Sequence, residues 1–275
     1  MPERYQRELK EPVSDSPSSI RFWSSTVEKL SYIEEAKSSI KLCEERKRRR
    51  RKKQNRVDIL YKSLGVKLKD LESSSKLGVA LNHLVTKVSG PKYSVRIEHA
   101  FSLKDYTGRK KFQAFKDLEN HKLLLKVYPV AAGASLLKQG IRFKPKECPT
   151  TGNFGKGMRL SDTLEGAIHM ANATNKNFKY LLVFCRVALG KVFEMNDKTQ
   201  NIVRPPIPYH SVMQRGKATP IFDGEILKES GISMPTVKME EFCEGKEAHN
   251  TYFVYDHSQV LQKYMCVIHI DDPRV

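Results

Sequence analysis

The chain has 275 residues, 39% of them hydrophobic, and a formal net charge of +18. That length and apolar content support one large or two small domains with a real core. No apolar run reaches the length of a membrane span, and the charged, Pro-containing start lacks a signal-peptide core, so neither a membrane association nor a secretory leader is expected. Eight consecutive cations at 46–53 still leave +10 for the rest. A balance this basic points to polyanionic partners: nucleic acid, nucleotides or an acidic surface. The five cysteines, Cys43, Cys148, Cys185, Cys243 and Cys266, are odd in number and none has Cys-x-x-Cys spacing. A disulfide framework or a structural metal site is therefore not expected, and a reducing intracellular setting fits best. Cys185 and Cys266 sit in apolar runs and read as small buried hydrophobes.

Residues 1–22, with Pro2, Pro12, Pro17 and Ser14-Asp15-Ser16, read as a flexible tail. Ser25-Thr26-Val27-Glu28 then offers a capping box, and Val27, Leu30, Ile33, Ile40 and Cys43 follow at helical spacing. This predicts an amphipathic helix over about 25–48. It runs into Arg46-Lys47-Arg48-Arg49-Arg50-Arg51-Lys52-Lys53. Basic residues suit a helix C-terminus, but eight in succession exceed capping. The run can bind a nuclear import receptor, contact nucleic acid, or remain a solvated linker. Residues 23–56 thus form one segment and 57–275 the main domain.

In the main domain, Asp58-Ile59-Leu60-Tyr61 predicts a strand or turn. Leu77, Leu81, Leu84, Val85 and Val88 then form a helical stripe, broken at Gly90-Pro91. Tyr93, Val95, Ile97, His99 and Phe101 alternate as a half-buried strand, with His99 read as a satisfied core histidine. Phe112, Phe115 and Leu118 suggest a short amphipathic helix. Residues 123–130 are a buried-strand run with one charge, Lys126, in its middle. Ala134 to Gln139 is helical, with Gly140 at the position that closes it. A loop leads to Phe154-Gly155-Lys156-Gly157-Met158-Arg159-Leu160-Ser161-Asp162, where two glycines permit close backbone approach and Asp162 is placed to cap a helix carrying Leu164, Ala167, Ile168 and Ala171. Tyr180–Ala188 is a strong strand. Residues 196–236 are rich in Pro and Gly and predict loops with short strands. Strands at Tyr252–Tyr255 and Gln259–Ile270 end the chain. Short strands that mostly do not alternate with helices argue for an α+β domain with antiparallel sheets.

Taken together, these segments resemble the catalytic domain of the poly(ADP-ribose) polymerases, in particular their DNA-dependent branch. The resemblance covers about residues 25–271. It rests on Leu124-Leu125-Lys126-Val127 with Gln139-Gly140-Ile141-Arg142, on Phe154 to Asp162, and on Val187-Ala188-Leu189-Gly190. It rests also on His210-Ser211-Val212, Gly216-Lys217-Ala218-Thr219-Pro220 and Asn250-Thr251-Tyr252-Phe253-Val254-Tyr255-Asp256. The resemblance implies an ADP-ribosyltransferase fold preceded by a remnant of the family's regulatory helical domain. It implies NAD+ as the cosubstrate and Gly155-Lys156-Gly157 as a turn at the rim of the NAD cleft.

The same resemblance locates substitutions at the chemical positions. The family's NAD-gripping His falls on Lys126, its stacking Tyr on Arg159 and its catalytic Glu on Thr251. The Gly beside that His falls on Val127, the nicotinamide-bonding Ser on Ala167 and a second stacking Tyr on Met170. Transfer breaks the bond between a cationic nicotinamide and ribose through an oxocarbenium-like state, which a carboxylate stabilises. Thr251 supplies no such charge, and Lys126 and Arg159 add cations. The expectation is a nuclear scaffold or an anionic-ligand module that favours ADP-ribose or nucleotide phosphates over NAD+. An active mono-ADP-ribosyltransferase with a non-standard triad, and a nucleic-acid module acting through 46–53, are the alternatives.

Overall fold

The computed structural model describes residues 55–88, 94–141, 157–171, 179–195, 204–222, 232–241 and 247–271, with Phe154, Ala173, Ile202 and helical positions between Leu30 and Glu45. The tail at 1–22 and the basic run at 46–53 lie outside the described residues.

The first complete helix, α1, spans Arg56–Ser63, where the sequence suggested a strand or turn. Its N-terminus explains the difference. The Asn55 side chain accepts the Val57 N–H at 3.0 Å, and Asp58 lies in the first turn, where the helix dipole favours an anion. Gly65, at φ +73°, turns the chain into β1 (Val66–Asp70). The predicted stripe forms α2 (Lys76–Val88), with Leu81, Leu84 and Val85 buried.

β2 (Ser94–Asp105) pairs antiparallel with both β1 and the last strand, β12 (Val260–Asp271). The register with β12 slips between Val267 and Ile268, which face His99 and Ile97. Glu98 is the extra residue of a bulge, and it inverts the alternation beyond it. Ile97 and Ala100 therefore pack toward one core and Leu103 toward the other. This corrects the sequence reading of His99, which is exposed and offset-stacked with Phe101 at 6.4 Å.

Helix α3 (Tyr106–Phe112) begins earlier than the Phe112–Leu118 pattern suggested, because Asp105 caps it through the Gly108 N–H at 2.8 Å. β3 (His121–Pro129) leads to α4 (Gly133–Gln139), which Gly140 closes at φ +77°. β4 (Met158–Ser161), α5 (Leu164–Met170), β5 (Lys179–Ala188) and β6 (Val192–Met195) follow. The Pro/Gly-rich stretch then yields β7 (Ser211–Gln214), β8 (Gly216–Phe222) and β9 (Pro235–Glu241). β10 (Glu247–His249) and β11 (Thr251–Val254) precede β12.

Nine strands form one sheet in the order β1-β2-β12-β5-β3-β4-β11-β7-β6, and β10-β8-β9 form a second. Pairing is antiparallel except for β6–β7 and β10–β8. Each face of the large sheet carries a core. α2 and α5 cover one face over Leu123, Leu125, Val127, Leu182 and Phe184. Leu124, Tyr128, Leu160, Val183, Tyr252 and Val254 fill the other. Cys185 and Cys266 are fully buried, as small hydrophobes should be, and burial pushes both thiols up to about 12. This is the α+β arrangement of mainly antiparallel sheets expected from the strand pattern.

Candidate functional site

The family resemblance implies a cleft around β3 and β4. Among the described residues these strands share one paired position, Leu125 opposite Ser161. Toward its start, the same edge of β3 is closed by the 232–234 segment: the Leu123 N–H donates to the Ser233 carbonyl at 2.8 Å, and the Ser233 N–H donates to the His121 carbonyl at 3.0 Å. Odd-numbered residues of β3 thus direct their N–H and C=O groups toward this edge. Val127 is the next odd residue after Leu125. No strand partner among the described residues stands opposite it on that side. A backbone donor and acceptor are therefore offered side by side at the seam, which is the pair an amide ligand requires.

Side chains above this slot are apolar. Val127 (4% exposed) and Ala167 (1% exposed) belong to one buried cluster with Leu164 and Ile168 of α5. Where the family resemblance implies a glycine and a hydroxyl, this chain packs a branched aliphatic side chain and a methyl group. Met170, at the end of α5, is half-buried.

The three triad positions do not converge on one face. Leu125, Ser161 and Thr251 are register partners across β3, β4 and β11, so their side chains share a face. Arg159, two residues from Ser161, lies on that face as well, opposite Phe253, and is exposed. Lys126 takes the other face by alternation. Its Nζ lies 5.4 Å from the Tyr128 ring centroid, within cation–π range. The structure thus brings Arg159 and Thr251 together and sets Lys126 across the sheet from them.

The glycine turn is built on packing behind it. The Gly157 N–H donates to the Phe154 carbonyl at 3.3 Å. A Cβ at Gly157 would lie 3.1 Å from the Tyr255 ring, a tight contact that glycine avoids and that would press on the ring. Phe154 stacks on Phe253 with centroids 4.0 Å apart, and the Tyr255 hydroxyl donates to the Phe154 carbonyl at 3.3 Å. Gly155 and Lys156 lie outside the described residues.

Asp162 does not cap the helix, contrary to the sequence reading. Thr163 does, its Oγ1 accepting the Gly166 N–H at 3.2 Å. Asp162 is instead 1% exposed and, through Asn250, joins three segments. Its Oδ2 accepts from Asn250 Nδ2 at 2.7 Å and from the Tyr252 hydroxyl at 3.2 Å. Asn250 also donates to Thr219 Oγ1 at 2.9 Å and accepts the Gly216 N–H at 2.7 Å. Burial pushes the Asp162 carboxyl up to about 6, against the opposing pull of these donors and of Lys122. The Lys122 ammonium stands 4.0 Å from the Phe222 centroid and 5.5 Å from that of Tyr252.

Sequence reasoning gave no position to Glu165. Its carboxylate lies 3.8 Å from His249 Nε2, and His249 Nδ1 lies 3.3 Å from Thr163 Oγ1. These residues are 84 and 86 positions apart in the chain. The signal available was the proximity of His249 to Thr251, once β11 pairs with β4 at Thr251 and Ser161. Among the described residues no group of His, Cys, Asp and Glu is arranged to hold a metal, and no helix is long and apolar enough to cross a membrane.

A family model described as the poly(ADP-ribose) polymerase catalytic domain matches residues 78–270. Among curated proteins, a poly [ADP-ribose] polymerase of Sarcophaga peregrina is 26% identical over 217 residues, covering 77% of this chain and 22% of that protein. Poly [ADP-ribose] polymerase 1 of Danio rerio is 28% identical over 218 residues, covering 77% of this chain and 21% of its own length. Poly [ADP-ribose] polymerase 2 of Zea mays is 26% identical over 274 residues, covering 96% of this chain and 40% of its own length. The chain therefore spans about a fifth to two fifths of these relatives. With the matched segment running from α2 to the end of β12, and the seam between β3 and β4 where the cleft was expected, the chain belongs to the poly(ADP-ribose) polymerase catalytic-domain family.

Proposed function

We propose that this protein keeps the ADP-ribosyltransferase fold as a binding scaffold and has lost efficient transfer from NAD+. The observation that carries the reading is the composition of the cleft: Val127 and Ala167 are buried in apolar packing beside the open backbone slot, while Thr251 and Arg159 hold the face where transfer needs a carboxylate. A cation about 5 Å from a developing positive charge, at an effective dielectric of about 20, opposes it by roughly 3 kcal/mol. That corresponds to about a 100-fold loss of rate before the absent carboxylate is counted. The same charge, Arg159, favours anions, so ADP-ribose and nucleotide phosphates are the preferred ligands over NAD+, whose nicotinamide adds a positive charge. The +18 net charge and the run at 46–53 support a nuclear setting and polyanionic or protein partners.

A second reading, a mono-ADP-ribosyltransferase with non-standard residues, draws on Glu165. Its carboxylate lies 3.8 Å from His249, which reaches Thr163 Oγ1 at 3.3 Å, itself 3.3 Å from the Ser161 hydroxyl, so a short polar chain links a carboxylate to the Thr251–Ser161 pair. Incubation with labelled NAD+ separates the two. The scaffold reading expects no label transfer by the native chain and a gain in NAD+ hydrolysis with Thr251→Glu combined with Arg159→Tyr. Label transfer by the native chain that Glu165→Gln abolishes would establish the second reading instead. Calorimetry tests the ligand preference: ADP-ribose is expected to bind at least tenfold more tightly than NAD+, and the reverse order overturns it.

A further inference from the structure

About 20 Å from Val127, at the other end of β3, the large sheet carries a second concentration of charge that the cleft does not use. Helix α3 lies there across β12. Phe112 of α3, Ala188 of β5 and Leu261 of β12 form one small apolar cluster, and a Cβ at Gly108 would lie 3.3 Å from Leu261 Cδ1. Arg109 follows Gly108. Arg186 is the register partner of Leu261 on one side and of Leu123 on the other. Lys263 is the extra residue of a bulge, since Gln262 faces Cys185 and Tyr264 faces Phe184. Bulges of this kind re-aim a side chain out of the ladder.

Arg186 is held rigidly. Its Nε donates to His121 Nδ1 at 2.7 Å, and its guanidinium lies 5.2 Å from the Phe112 ring centroid. Burial and the neighbouring guanidinium hold the His121 imidazole below its usual range, in keeping with a neutral ring that accepts. No acceptor among the described residues takes the Nη donors of Arg186. Asp105, the acid nearest in sequence to Arg109, is committed to the N-terminus of α3. Arg186 and Lys263 are half-buried, and no carboxylate among the described residues pairs with them or with Arg109. Burial first, and then Arg109 and Arg186, disfavour the charged form of Lys263. Half-buried cations gathered without counter-charge cost stability unless an anion is there to receive them.

We propose that Arg109, Arg186 and Lys263 form a phosphate-binding site between α3 and the β5–β12 ladder. A pinned, planar guanidinium whose Nη donors no described residue takes suits two oxygens of one phosphate, and Lys263 and Arg109 add two neighbouring cations. Exposed Lys110 and Lys111 continue the charge along α3, so the phosphate can belong to a free nucleotide or to a nucleic-acid backbone. The site lies at the opposite end of β3 from Val127.

Calorimetric titration of the full chain with inorganic pyrophosphate tests it. The native protein is expected to bind, and Arg109→Ala/Lys263→Ala to lose at least tenfold in affinity. Lys126→Ala/Arg159→Ala should leave the component of this binding that depends on Arg109 and Lys263 in place. Lys263→Met, which keeps the packing of the stem, guards against a fold defect, and each variant's melting temperature should stay at or above the native one because repulsion is relieved. Absence of pyrophosphate binding to the native chain, or a loss that follows Lys126 and Arg159 alone, overturns the proposal. A ~12-nucleotide single strand separates the two sources of phosphate. Its affinity falls in parallel with that of pyrophosphate if the ligand is a nucleic-acid backbone, and stays constant if it is a free nucleotide.

Discussion

The two faces of the β4–β11 pair carry opposite kinds of residue. One face is Met158, Leu160, Tyr252 and Val254, all buried in one core. The other carries Arg159, Ser161, Thr251 and Phe253. The first face, with the Asp162–Asn250 network at its end, holds β4, β8 and β11 in place. The second is where the family's chemistry would take place, and there the expected aromatic and acidic residues are replaced. A fold can keep its architecture on one side of a strand pair while the other side changes freely, because side chains two residues apart answer to different surroundings.

Substitutions can break or sharpen this contrast. Asn250→Ala should be the most damaging, costing about 3–5 kcal/mol in denaturant unfolding, since it takes one of two donors from a buried carboxylate and the acceptor from the Gly216 N–H together. Next comes pH. The unfolded Asp162 carboxyl titrates near 3.8 and the folded one at about 6, so the folded state binds more protons between them. Stability should therefore fall as pH rises through that window, by on the order of 3 kcal/mol, and Asp162→Asn should flatten the profile. Tyr252→Phe removes one donor from the same carboxylate and should cost about 1–2 kcal/mol. Gly140→Ala, at φ +77° in open space, should cost about 1 kcal/mol through backbone strain alone. On the cleft face, Arg159→Ala should change stability by less than about 0.5 kcal/mol, as an exposed position does. A loss there comparable to that of Asn250→Ala would remove the distinction between the faces.

Much of the fold was legible because it is written in local pattern. The apolar run of β3, the α2 stripe and the alternating end of β12 all formed where expected. What was not legible depends on register. The Glu98 bulge that turns His99 outward is a property of the β2–β12 pairing, not of either strand alone. Asp162 looked like a cap because Ser/Asp before an apolar run is the usual cap signal. Its real partners, Asn250 and Tyr252, are 88 and 90 residues away. Motifs give Lys126, Arg159 and Thr251 as the positions that the resemblance singles out, but their division between the two sheet faces required the Leu125–Ser161 pairing. The Arg109–Arg186–Lys263 site had no signal at all, since its members come from three separate elements and one of them is re-aimed by a bulge.

Among the described residues a single rung joins β3 to β4, so the large sheet is, in mechanical terms, two half-sheets sharing a thin joint. A ligand that bonds the Val127 backbone while touching β4 would serve as an added rung. Such a ligand tightens the joint whether or not it reacts, and its binding appears as a rise in melting temperature set by RT ln(1 + [L]/Kd). At a hundred times its Kd the gain is about 2.7 kcal/mol. The heat stability of this domain thus reports what the seam accepts, whether or not turnover follows.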